Sequence, residues 1–124
     1  MNSNSNYSKI IYDILFGSIL IGLTSYATIK FDTNPEYLKI VAYLWGVPLL
    51  YFYFVYIIYP QGNKALKDFT IHGFIGMILT IILMIITYLM IINNYDKYTI
   101  LIFNLLFGLI TLFLYFYYEI YNKI

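Results

Sequence analysis

The stretch from Phe69 to Ile92 constrains the fold more than any other part of the chain. It is almost entirely apolar, and it contains one histidine, His72, and no Asp, Glu, Lys or Arg. At a rise of about 1.5 Å per residue, a helix of this length crosses a hydrocarbon core of roughly 30 Å with some tilt. We therefore predict a transmembrane helix here.

The composition of the whole chain agrees with a membrane location. Of its 124 residues, 62% are hydrophobic and 10% are charged, and the mean hydropathy is +0.78. This balance is typical of an integral membrane protein whose main partner is the lipid bilayer. A net charge of +1 argues against a nucleic-acid partner. The absence of cysteine excludes disulfides, thiolate metal sites and a cysteine nucleophile.

Three further apolar runs predict three more spans, so that the helices cover about residues 9–29, 40–59, 69–92 and 98–118. Because the connections are short, we predict one all-α domain over residues 1–124, an integral membrane four-helix bundle with antiparallel neighbours. The N-terminal segment MNSNSNYSK is polar and precedes a full-length apolar run without a small-residue cleavage site. This pattern predicts a retained first helix rather than a signal peptide.

Short loops between four spans place both termini on the same side of the membrane. Four of the seven lysines fall on that side and three on the other: Lys9, Lys64, Lys67 and Lys123 against Lys30, Lys39 and Lys97. The positive-inside rule then predicts cytoplasmic termini, with mixed or dual insertion as the alternative.

Small and polar residues recur on one face of several predicted helices. In lipid, such residues let helix backbones approach each other and form interhelical hydrogen bonds. One interpretation is that these faces are packing seams, with the glycines Gly17, Gly22, Gly73, Gly76 and Gly108. The other is that they line a substrate pathway or pocket, for which the candidates are Asp13, Thr24, Pro48, His72, Thr80, Asn104 and Glu119.

Three of these candidates ionise: Asp13, His72 and Glu119. If helix directions alternate, all three lie at the membrane face that carries the termini. A histidine near carboxylates there suggests a proton-handling or cation-binding site. The alternative is anchoring, because each residue lies about one turn, roughly 6 Å, from a helix end, where side chains reach the headgroups.

Asn104 and Pro48 are predicted to lie deeper in the membrane than these three ionisable residues. Asn104 is about six residues into its helix and needs a hydrogen-bond partner, either a threonine or a freed carbonyl on another helix, or else a substrate. Pro48 has no N–H and collides with the carbonyl of Leu44, which predicts a kink that leaves this carbonyl available.

The segment GSILIGLTSYATIKFDTNPEYLKIVAYLWGVPLLYF has a glycine-rich first helix, a loop with Lys and Asn-Pro, and a Trp-Gly-x-Pro core. In these features it resembles short four-span membrane proteins of unknown function, which are half-size units related in outline to drug/metabolite transporters. The resemblance implies a transporter-like fold. The small multidrug resistance proteins carry an essential Glu midway along helix 1. Here Leu20 and Ile21 stand at that depth and Asp13 lies nearer the end, which argues against proton-coupled cation export.

We therefore predict a small transporter-like protein that works as a homodimer. With no charged residue at the midplane, its solute is expected to be neutral or weakly polar. The alternative is a non-catalytic membrane scaffold, assembly or accessory subunit. An enzyme is not expected, because the chain has no HExxH or paired-His motif and no nucleophile elbow. No catalytic residue, cofactor or metal site is predicted.

Overall fold

A computed structural model describes the backbone of residues 3–124 and the side chains of residues 6–48 and 50–124. The described chain is all-helical, as predicted, and contains a 3₁₀ turn at Tyr59–Gln61. Its helices are α1 (Ser3–Ile29), α2 (Glu36–Gly46), α3 (Leu49–Ile58), α4 (Asn63–Ile92), α5 (Lys97–Tyr117) and α6 (Ile120–Lys123).

Four stretches are long and apolar enough to cross a membrane: Asn6–Ile29, Glu36–Gln61, Asn63–Ile92 and Lys97–Tyr117. Their side chains are largely exposed, and Ala27 is the one buried hydrophobic residue in the described part of the chain. A water-soluble domain would bury far more of its large apolar side chains. This surface is compatible with a multi-pass membrane protein.

Two helices begin about six residues before the predicted spans. α1 begins at Ser3, whereas the first span was predicted from Lys9, and α4 begins at Asn63, whereas the third span was predicted from Phe69. The apolar run marks the part of a helix suited to hydrocarbon, whereas backbone hydrogen bonding continues through adjacent polar residues. At the start of α4, Gly62 has φ 94° and ψ 174°, a conformation that is essentially restricted to glycine. It separates the 3₁₀ turn from α4.

The second span, predicted over about residues 40–59 with a kink at Pro48, consists of two helices. α2 ends at Gly46, Val47 is extended with φ −73° and ψ 142°, and α3 begins at Leu49. The ring of Pro48 disfavours the α conformation at the residue before it. The predicted interruption at Pro48 is therefore present, as a two-residue break rather than a kink.

The chain divides into two compact units, Met1–Val55 and Tyr56–Ile124. In the first unit α1 packs against α2, and in the second α4 packs against α5. Each pair is joined by a short connection.

The connection between α4 and α5 ends in a side-chain cap. Asp96 is the N-cap residue of α5, and its Oδ2 accepts hydrogen bonds from the backbone N–H of Tyr98 at 3.0 Å and of Thr99 at 3.1 Å. The Thr99 hydroxyl donates to the other carboxylate oxygen. The hydroxyl and backbone N–H of Thr99, together with the N–H of Tyr98, hold the pKa of Asp96 below its ordinary value.

This cap predicts a pH dependence of the first turn of α5. Because the folded-state pKa of Asp96 is lowered, its stabilisation is complete above the ordinary aspartate pKa of about 3.9 and is lost as the pH falls through the lower folded value. The protection factors for amide hydrogen exchange at Tyr98 and Thr99, which are relative to the intrinsic rate at each pH, should therefore fall in acid. Asp96→Asn is the control, since its amide oxygen caps the helix without titrating. An equal fall in this variant would contradict the assignment.

Candidate functional site

Two polar contacts join α4 to α5 in the second unit. The Tyr115 hydroxyl lies 2.8 Å from Nδ1 of His72, and the two rings meet edge to face with centroids 5.8 Å apart. Nearer the connection, Thr87 contacts Asn104. The contacts thus pair the beginning of α4 with the end of α5, and the end of α4 with the beginning of α5.

Asn104 has the kind of partner that the sequence predicts, a threonine on another helix. Its Nδ2 donates to the Thr87 hydroxyl at 3.1 Å and to the Ile100 carbonyl of its own helix at 2.8 Å. The Thr87 hydroxyl lies 3.2 Å from Oδ1 of the same amide and donates to it. Both side chains are half-buried, so this bond links the helices where little water reaches.

A groove runs along the α4–α5 pair from the His72–Tyr115 contact. Its volume is about 280 Å³, and its lining consists of His72, Ile75, Gly76, Leu79, Gly108, Thr111, Leu112 and Tyr115. Nothing lies within 4 Å of a Cβ built on either glycine, so both leave open space. The Thr111 hydroxyl donates to the Phe107 carbonyl at 2.9 Å. The groove is therefore apolar along most of its length and polar at its His72–Tyr115 end.

A second groove of about 470 Å³ lies at the connection between α4 and α5. It is lined by Ile86, Leu89, Met90, Asn93, Tyr95, Thr99 and Phe103. This second groove was not predicted from the sequence. The Asn93 side chain donates to the Leu89 carbonyl at 2.7 Å, so its amide satisfies a backbone carbonyl at the end of α4.

Among the described residues of the first unit, polar contacts link α1 to the second span on each side of the break at Val47-Pro48. Before the break, the indole Nε1 of Trp45 donates to the Thr24 hydroxyl at 2.9 Å. After the break, the Tyr53 hydroxyl donates to Oδ1 of Asp13. The Tyr53 ring also packs against Phe16, with centroids 5.0 Å apart.

The members of the predicted ionisable triad have different surroundings. Asp13 belongs to the first unit and is bonded to Tyr53, whereas His72 belongs to the second and is bonded to Tyr115. Glu119 is exposed at the break between α5 and α6, with φ 49° and ψ 42°. A site formed by all three stays a prediction. The described residues include no group of three or more His, Cys, Asp or Glu side chains that could hold a metal ion.

The remaining candidates occupy open helix surfaces. Thr80 is exposed and donates to the Gly76 carbonyl of its own helix at 3.0 Å. Gly17, Gly22 and Gly73, like the two glycines of the groove, have nothing within 4 Å of an added Cβ. Their role in helix packing stays a prediction.

Tyr53 was not among the residues predicted from the sequence. Tyr115 shares a polar helix face with Asn104 in the sequence pattern, but it was not predicted as the partner of His72. The chain contains 16 tyrosines, so tyrosine as a residue type carries little information here. Their partners Asp13 and His72 were the available signal, since an ionisable group within a span needs a polar neighbour.

The site thus belongs to an all-helical chain with four helical stretches able to span a membrane. Comparison with known proteins finds no matching family model, curated protein or solved structure. The resemblance of the Gly17–Phe52 segment to half-size transporters therefore stays a prediction.

Proposed function

We propose that this protein is a four-span membrane protein that moves a small neutral or weakly polar solute, and that it works as a homodimer with cytoplasmic termini. The observation that carries the proposal is the break in the second span, flanked by separate hydrogen bonds to α1. Interrupted helices in transporters supply both binding groups and moving parts.

The break divides the second span into two helices that α1 holds independently. Trp45 ties α2 to Thr24, and Tyr53 ties α3 to Asp13. Pro48 has no N–H for the Leu44 carbonyl, so backbone polar groups at the break are available to a polar solute. One half can therefore change its tilt while the contact of the other half is kept.

The expected solute class follows from two contacts between helices, Thr24 with Trp45 and Thr87 with Asn104, which are both between uncharged side chains. The carboxylate of Asp13, which also lies within a span, is already engaged by the Tyr53 hydroxyl. A charged solute would lose its hydration without finding an opposite charge, which is costly in a low-dielectric environment. A neutral solute with a few hydrogen-bonding groups has no such penalty.

A homodimer would enclose the solute pathway, which four helices of one chain are too few to surround. The large apolar side chains of α1, α4 and α5 are mostly exposed, and the glycines on these helices leave room for a close neighbour. Small residues of this kind favour close helix packing in membranes. Lipid and a second copy would share this surface.

One observation favours the alternative of a non-catalytic scaffold or accessory subunit. Asn104 and Thr24, both candidates for the pathway, have partners within their own units. In a scaffold these bonds would serve only to hold pairs of helices together.

Osmotic swelling of proteoliposomes separates the two functions. We expect vesicles that contain the full chain to swell faster than empty vesicles in isotonic urea or glycerol, and Pro48→Ala to remove the difference. Pro60→Ala is the matched control, because Pro60 lies in the 3₁₀ turn outside the break. Swelling rates equal to those of empty vesicles for both solutes would exclude transport of this class and favour the scaffold.

A further inference from the structure

The groove between α4 and α5 offers a hydrogen-bond donor at its polar end, whichever atoms carry the protons. If the Tyr115 hydroxyl donates to Nδ1 of His72, the Nε2–H remains free to donate. If Nδ1 carries the proton and donates to the tyrosine oxygen, the phenolic O–H is free. A protonated histidine leaves both donors available. A ligand with an acceptor oxygen at this end therefore finds a donor in each of these states.

The rest of the groove suits an unbranched apolar chain. Its walls are formed by Ile75, Leu79 and Leu112, and Gly76 and Gly108 keep it open. From His72 to Leu79 it extends about 10 Å along α4. Its volume of about 280 Å³ is nearly twice the roughly 150 Å³ that holds a benzene molecule, and so accommodates about ten carbon atoms.

The polar end of the groove also lies at a suitable depth for a lipid ester. Tyr115 is two residues before the end of α5, and the charged residues Lys67 and Asp68 precede His72 on α4 by about 6 to 8 Å along the axis. If the two helices span the bilayer, these charges mark the headgroup side, and the donors lie close to the boundary between the hydrocarbon and the headgroups. This is the depth at which the ester groups of a glycerophospholipid lie.

We propose that this groove binds one acyl chain of a membrane glycerophospholipid, with the ester carbonyl accepting a hydrogen bond from the His72–Tyr115 pair. The lipid headgroup lies beyond this pair, toward the start of α4, and the chain runs past the two glycines toward Leu79. This site goes beyond the proposed transport function and does not depend on it, because a scaffold could hold the same lipid.

Photocrosslinking of the full chain in phosphatidylcholine vesicles tests the site. The probe is a phosphatidylcholine with a diazirine in the middle of one acyl chain, and mass spectrometry locates the labelled residues. We expect labelling to concentrate on residues 75–79 and 108–112. Uniform labelling that includes Phe74 and Leu105, which are exposed residues outside the groove lining, would mean that only bulk lipid is in contact and would overturn the proposal.

Two groove-filling glycine variants and one control variant separate filling of the groove from general effects on the helix. Gly76→Leu fills the groove, and we expect it to lower this labelling by about fivefold or more, comparable to the loss of one net hydrogen bond. Gly73→Leu is the control, because Gly73 lies on the same helix but outside the lining. Neither position has an atom within 4 Å of a new Cβ, and far-UV circular dichroism checks folding. Gly108→Val is a second groove-filling variant. Equal labelling of the wild type and both groove-filling variants would overturn the proposal.

A second comparison identifies the polar contact and the source of the acyl chain. Replacing both His72 and Tyr115 with phenylalanine should weaken labelling by the phospholipid probe about fivefold, because both donors are lost. A free fatty acid with the same diazirine chain is the competing source. Labelling by the fatty acid without labelling by the phospholipid would overturn the proposed lipid class.

Discussion

Replacing Pro48 with alanine is expected to join α2 and α3 into one continuous helix. Proline is about 3 kcal/mol less favourable than alanine in a helix interior, and its removal also frees Val47 to adopt the α conformation. The new N–H at position 48 supplies the hydrogen bond to Leu44 that proline cannot make. Helicity over residues 46–49 should therefore increase.

The same substitution is expected to break one of the two contacts with α1. At about 100° per residue, Trp45 and Tyr53 would lie about 80° apart around a continuous helix, separated by about 12 Å along its axis. Their partners on α1, Thr24 and Asp13, are within about 20° of each other and about 16 Å apart along the axis. The extended residues at the break add length and change the direction of the second half. Without them, both contacts cannot be kept at once.

Trp45 reports this change directly, because it is the one tryptophan of the chain. We expect Pro48→Ala to shift its fluorescence and to slow amide exchange at residues 47–52. Pro60→Ala should change neither measurement. Slow exchange with an unchanged Trp45 spectrum would show that the loss falls on the Tyr53–Asp13 contact. Unchanged exchange at residues 47–52 would contradict the role of Pro48 in the break.

The long helices could be predicted from the sequence because each apolar run is itself long enough to span hydrocarbon. Phe69–Ile92 lies entirely within α4, and the break near Pro48 follows from the chemistry of proline. The helix ends were harder to predict, since polar residues such as those from Asn63 onward continue a helix beyond its apolar part.

For contacts between helices, the sequence predicted the type of partner but not the particular residue. Asn104 required a partner because it is an amide within an apolar helix, but the choice of Thr87 depends on how α4 and α5 are aligned. The pairing of Tyr53 with Asp13 and of Tyr115 with His72 was not predicted, for the same reason. Many tyrosines satisfy the local pattern, and helix alignment selects those that meet Asp13 and His72.

Thr87→Val is expected to destabilise the second unit by about 1 to 2 kcal/mol, the upper part of the range for interhelical hydrogen bonds in membranes. Valine matches the shape of threonine but leaves Oδ1 of Asn104 without the Thr87 hydroxyl. Asn104→Leu should cost less, since the freed Thr87 hydroxyl can bond to the carbonyl four residues earlier in its own helix. The two substitutions therefore remove the same hydrogen bond but lower the stability by different amounts.

Unfolding of the full chain in mixed micelles with increasing dodecyl sulfate, followed by far-UV circular dichroism, measures these costs. Combining both substitutions should restore stability to that of Asn104→Leu alone, because the amide that lacks a partner is then gone. The coupling energy should therefore equal the cost of Thr87→Val, about 1 to 2 kcal/mol. Thr80→Val is the matched control, since the Thr80 hydroxyl bonds to the Gly76 carbonyl of its own helix. If Thr87→Val costs no more than Thr80→Val, the bond to Asn104 does not stabilise the pairing of α4 with α5.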